Sequence, residues 1–208
     1  MDDVLICNLA LSRIGISLKI ASLWTERTKE AIELRNVYEL TRDRVLGAAP
    51  WPFAKRTVPL AKVGNTPTLW QYRYAYPNDC LALRGLFPAS LIGSVSQEAL
   101  RKYLMLNKTP HELELTSVDG QTIVTDLDQA YAVYTVRVNN PSVFDAAFVS
   151  AFAWSLAAEV ALPLAKTIDH SRNAGAQYAA EINTALAKSL NEEGGDAPPD
   201  SEFVTARL

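Results

Sequence analysis

Histidine and cysteine are scarce in this chain: two of each among 208 residues. Cys7 and Cys80 are too few for a disulfide framework or a structural zinc site. His111 and His170 lie far apart in sequence, so no metal-ligand spacing forms around them. The expectation is a chain with no metal and no cofactor. Charge of one sign is lacking too, with 20 Lys and Arg against 23 Asp and Glu. A net charge of −3 leaves no basic surplus to neutralise phosphates, which argues against general nucleic-acid affinity. The longest apolar stretch, residues 143–164, is interrupted by Asp145 and Glu159. The run between them falls short of the roughly 20 residues that span a bilayer, so no membrane contact is expected. The opening Met-Asp-Asp has no basic region of the signal-peptide kind, which predicts a protein made in a reducing cytoplasm.

Catalytic signatures are equally sparse. There is no G-x-S-x-G elbow, no Walker loop and no G-x-G-x-x-G. Asp126-Leu-Asp128 lacks the glycine and distal glutamate of a calcium loop and reads as a solvated turn. Spacing alone does not exclude a carboxylate pair for glycoside hydrolysis, but Glu26, Glu33, Glu112 and Glu114 sit where a wet face would put them. The expectation is that the chain is not an enzyme.

What is present is a helical pattern broken by a strand pattern. Val4, Cys7, Leu11 and Ile14 repeat at three and four behind a capping Asp2 or Asp3, with Gly15 as a left-handed stop. Cys7 in that stripe reads as a core residue. A second helix is predicted from about Glu26 to Leu46, with Arg35 and Glu39 as an i,i+4 ion pair. Pro50 and Pro52 end it, interleaved with Trp51 and Phe53. From about residue 66 the period becomes two. Trp70, Tyr72, Tyr74 and Tyr76 alternate, and in an extended chain they would share one face. That face is either a stacking platform for bases or sugars or a piece of core. Arg73 alone supplies charge beside it, and it points the other way, so core is the better reading.

Residues 81–86 read as strand, and residues up to about Pro110 as irregular. Glu112 to Leu115 alternate, Asp119-Gly120 signals a type I′ hairpin, and a last strand runs from Ala130 to Val138. Helix returns after Asn139, Asn140 and Pro141. Phe144, Phe148, Phe152, Leu156 and Val160 form an i+4 ridge on a helix apolar on most of its circumference, which places it mid-bundle. Pro163 ends or kinks it. A last helix, roughly Ile168 to Leu190, carries Tyr178, Ile182, Leu186 and Leu190. Residues 191–208 mix acids, Gly-Gly and Pro-Pro and then close on Phe203, Val204, Arg207 and Leu208, the composition of a disordered leash with a sticky end.

The expected fold is therefore α+β and mainly α. A bundle of about four helices (residues 1–65 and 141–193) receives a small antiparallel β-module (residues 66–140) and ends in a flexible C-terminal tail (residues 194–208). ALSRIGI at 10–16, IASLWTE at 20–26, RDRVLGAAPWPFAKR at 42–56 and W-x-Y-x-Y-x-Y-P-x-D-C at 70–80 occur in that order, followed by FDAAFVSAFAWSLAAEVALPL and a closing DSEFVTAR. Together they resemble the head-to-tail adaptor (connector) family of tailed phages, of the tail-tubular kind found in short-tailed phages.

The resemblance covers nearly the whole chain. It implies a structural virion protein of the neck and tail, met in the host cytoplasm during assembly. Such adaptors form a ring beneath the portal protein that matches its twelve-fold symmetry, so copies of the chain would be neighbours in a dodecamer. They present a surface to the tail nozzle or tail tube and continue the channel through which DNA passes. Carried over, Phe203, Val204, Arg207 and Leu208 become portal anchors. Trp51, Phe53, Trp70 and Tyr72 would hold the β-module to the bundle, and with Tyr74 and Tyr76 they make up a structural aromatic cluster. Some such adaptors are associated with peptidoglycan cleavage, which gives the alternative reading of a virion-borne wall-cleaving enzyme. No motif here carries that chemistry over.

Overall fold

The computed structural model describes residues 2–106 and 109–193. The chain is α+β and mainly α, with five α-helices and two three-stranded antiparallel sheets among those residues. Helix α1 (Asp3–Arg13) starts where the Asp2 carboxylate accepts the Leu5 N–H at 2.8 Å. It ends at Gly15, whose φ of +77° lets the Gly15 and Ile16 N–H groups close back onto Ser12 and Leu11 carbonyls.

Helix α2 (Lys29–Ala48) starts later than the period predicts, because Thr28 takes the cap. Glu26 stays in the preceding loop, where its carboxylate accepts from Ala21 N, Ser22 N and the Thr28 hydroxyl. Arg35 does not pair with Glu39 as expected; it donates to the Leu23 and Glu26 carbonyls at 2.8 and 2.7 Å and fastens that loop to α2. Two geometrically fixed carbonyls outcompete a flexible, solvated carboxylate.

After α2, a 3-10 turn (Pro52–Ala54) feeds β1 (Lys55–Pro59). The sheet thus begins before residue 66, since Lys-Arg-Thr-Val-Pro is too polar to show an alternating pattern. Strands β2 (Tyr72–Ala75) and β3 (Cys80–Pro88) follow, then β4 (Glu112–Thr116), β5 (Gly120–Thr125) and β6 (Ala130–Val136). The first sheet runs β1-β6-β3 and the second β2-β5-β4. Between β3 and β4, the stretch expected to be irregular contains α3 (Gln97–Leu106), capped by Ser96 and seated close to Gly85 of β3, where an added Cβ would lie 3.3 Å from Leu104. The β4–β5 hairpin is not a two-residue type I′ turn. Thr116 pairs with Gly120 across residues 117–119, and of the Asp119-Gly120 dipeptide only Gly120 has positive φ.

Asn140 caps only a 3-10 turn (Pro141–Val143), and Asp145 caps the long helix α4 (Ala146–Val160) with a 2.7 Å bond from Phe148 N. The expected ridge of Phe144, Phe148, Phe152, Leu156 and Val160 is buried throughout, and α4 packs against α1, α2 and α5. Pro163 lies in a π-helical turn (Ala161–Ala165) that ends at Lys166 in the left-handed region. Together, Ala146–Ala165 is by length and composition apolar enough to cross a membrane; here more than half of it is buried within the fold. Helix α5 (Ile168–Glu193) lies on α4 through Ala174, Tyr178, Ile182 and Leu186. The Leu190 side chain lies outside the description.

Candidate interaction surfaces

The two aromatic stretches have different surroundings. Trp51 is buried, and its indole N–H donates to Val45 O of α2 at 2.8 Å. Its ring meets Phe148 edge-on at 5.2 Å, Phe53 packs on both Phe144 and Phe148, and the chain of rings continues through Phe152 to Tyr38 and Trp24. Each such pair adds about 0.5–1.5 kcal/mol beyond burial. This cluster stands at the junction of α2, α4 and β1.

In the second stretch only Tyr72 and Tyr74 lie within β2. Tyr74 is fully buried, and its hydroxyl donates to Leu127 O at 2.7 Å while receiving Ala130 N–H at 3.4 Å. It thereby ties the second sheet to the start of β6. Tyr72 is half-buried beneath the Lys62 ammonium, 4.2 Å from the ring centre. Tyr76 lies beyond the strand and accepts from the Cys80 thiol. Trp70 precedes the strand and donates its N–H to Glu112 at 3.3 Å within the second sheet. Among the described residues neither Trp70 nor Tyr72 has a ring partner in the bundle; Tyr72 packs against the buried core, while the ring contacts of the junction are made by Trp51 and Phe53.

Other groups at the joint were not legible beforehand. Arg84, in an otherwise apolar strand, donates to Thr135 Oγ1 and to the Gly47 and Ala49 carbonyls at the end of α2. Burial pulls its pKa below the usual guanidinium value without threatening its charge. Arg137 reaches Asp43 of α2 at 2.7 Å, and Asp79 gathers both Arg56 and the Tyr134 hydroxyl. A lone arginine in an apolar strand is the signal that could have found the first, since such a charge requires fixed acceptors. On the bundle's other side, Arg13 stacks over Trp154 at 4.1 Å and donates to Ser150 O, while the Ser150 hydroxyl donates to Glu181 of α5.

Burial pushes the Cys7 thiol far up, and Asp3 and Asp2 add to the shift. Cys80 is raised by burial too, against the opposing effect of Tyr76. At neutral pH both are thiols rather than nucleophilic thiolates. Among the described residues no group of three or more His, Cys, Asp or Glu gathers in a metal-binding arrangement. Asp126 and Asp128 point to separate partners, Gln71 N and Lys62. Phe203, Val204, Arg207 and Leu208 lie outside the described residues. No protein-family model matches the chain, and no curated protein matches it.

Proposed function

We propose that this chain is a structural virion protein, a head-to-tail adaptor that forms a ring beneath the portal, joins capsid to tail and continues the DNA channel. Its partners would be the portal protein, the tail nozzle or tail-tube protein and neighbouring copies of itself. Its place is the virion neck, reached from the host cytoplasm. The observation in favour is the way the motif RDRVLGAAPWPFAKR is used. It runs from the last turns of α2, through the buried Trp51, into β1, and Arg84, Arg137 and the Trp51 indole lock that passage from three sides. A ring component must keep its helical and sheet halves at a fixed angle while DNA passes, and this joint supplies that rigidity. The small negative net charge also suits a channel wall that does not hold phosphates.

The closing residues Phe203, Val204, Arg207 and Leu208 are the proposed portal anchors. The test compares the full chain with one lacking residues 194–208, each mixed with portal protein and followed by light scattering. The full chain should add mass to the portal. The truncated chain should keep its circular dichroism and melting curve but fail to attach. A truncated chain that still decorates portals would move the attachment to the bundle.

A further inference from the structure

The two sheets have four outer strands, β1 and β3 in one and β2 and β4 in the other. Two of these edges are covered. Along β2 the preceding segment adds a bridge between Lys62 and Tyr74, with Ala75 N and Val63 N bonded across to Ala61 O and Arg73 O. Along β3, Arg84 reaches back to α2, Leu104 of α3 packs close to Gly85, and Thr109 donates to Leu86 O. Among the described residues, β1 and β4 each pair with a strand on one side only. Every residue of β1 except Val58 is exposed, and β4 carries Leu113 at 49% and Leu115 at 84% exposure. An exposed strand edge is a template for another strand, and apolar side chains on it are a liability unless it is used.

The two open edges complement each other. β1 reads Lys-Arg-Thr-Val-Pro and β4 reads Glu-Leu-Glu-Leu-Thr, each five residues long. Arg56 is held by Asp79 and Glu114 by Arg73 within the chain, while Glu112 receives only the neutral Trp70 N–H, so the opposite charges left to meet across the two edges are Lys55 and Glu112. We infer that β1 of one copy adds to β4 of the next, a head-to-tail contact between identical chains that joins the two sheets across the boundary. Aligning Thr57 with Glu114 puts Lys55 on the face of Glu112 and Glu114 and sets Val58 beside Leu113 or Leu115, whichever direction the strands run. The contact uses two different patches, so it propagates and closes into a ring when the rotation allows. Two short strands bury little area, so a single contact is weak and closure of the ring has to supplement it. The inference rests on the ring reading above and specifies which surfaces of neighbouring copies touch.

The test uses full-length chain on a Cys80→Ser background. Val58→Cys chains are mixed with Leu113→Cys or Leu115→Cys chains under mild oxidation at high protein concentration, with each variant also oxidised alone. The expected result is a covalent dimer from one of the two mixtures, little from any single variant, and a ladder when both cysteines are on one chain. In addition, Lys55→Glu should abolish the cross-link, and where Val58 pairs with Leu115, the parallel alignment that sets Lys55 opposite Glu112, adding Glu112→Lys should restore it. Absence of product in both mixtures, or same-variant dimers as abundant as mixed ones, overturns the strand contact. Sedimentation of the unmodified chain, alone and with portal, separates the two failures. Assembly without the mixed cross-link discards this contact and keeps the ring, whereas no assembly in either setting discards both.

Discussion

Residues 51–53 and residues 70–76 look alike in sequence, each placing aromatic side chains at alternate positions, yet they do different work in the fold. Trp51 and Phe53 enter a packed set of rings between α2, α4 and β1. Of the second stretch only Tyr74 is fully buried, while Trp70, Tyr72 and Tyr76 are half-buried, and the Trp70 N–H is bound to Glu112 of the second sheet. Alternation specifies a face; what opposes that face decides whether it becomes core. Opposite Trp51 stands the phenylalanine ridge of α4, whereas β2 is an outer strand that ends before Tyr76.

That comparison breaks most visibly at its buried end. Phe148→Ala or Trp51→Ala should cost about 3–5 kcal/mol in urea unfolding, the scale of large aromatic truncations. A loss below about 1 kcal/mol would mean that the junction is not packed as described. Tyr74→Phe removes one hydroxyl and leaves Leu127 O without that donor, for an expected cost of about 1–3 kcal/mol. Arg84→Met should fall in the same range, since it strips donors from two carbonyls at the end of α2. Its thermal unfolding should also show whether bundle and sheets still melt together; two separate transitions would identify Arg84 as the tie between them. At the half-buried end, Trp70→Ala removes one hydrogen bond to Glu112 and should cost only about 0.5–1.5 kcal/mol. If it instead melts like Trp51→Ala, the two stretches are equivalent after all.

The smallest effect concerns the loop before α2. Hydrogen bonds from Thr28, Ala21 and Ser22 hold the Glu26 carboxyl below its usual pKa. A carboxyl lowered in the folded chain stabilises above its ordinary value and loses that contribution as pH falls through the lowered one. Melting temperatures of Glu26→Gln and the parent chain should therefore differ slightly near neutrality and converge in acid. A gap that widens on acidification would contradict the assignment.

Legibility followed the density of apolar signal. The α4 ridge, the Asp2 cap and the Gly15 stop are local patterns, and each appears where its residues predict. β1 and α3 were missed for opposite reasons. Lys55 to Pro59 is an outer strand with little to bury, so it carries no alternation. The α3 stretch sits behind Pro88 and Gly93, breakers that read as loop, while Ser96 quietly supplies a cap. Arg84 and Arg35 depend on carbonyls brought in by the fold, and no spacing rule could pair them. The Glu-Leu alternation of β4 marks a strand, and Glu112 is exposed as its pattern predicts, but Glu114 is not. Glu114 is the half-buried member, held by Arg73, while Leu115 faces out.

A ring-forming adaptor is defined by how many copies meet the portal. Native mass measurement of the complex between full-length chain and portal protein reads that number directly. One chain per portal subunit, with few partly filled complexes, is the predicted result, because weak neighbour contacts reward only a completed ring. A single chain per portal, or free portal and free chain at every ratio, would contradict the reading of this protein as a ring-forming adaptor.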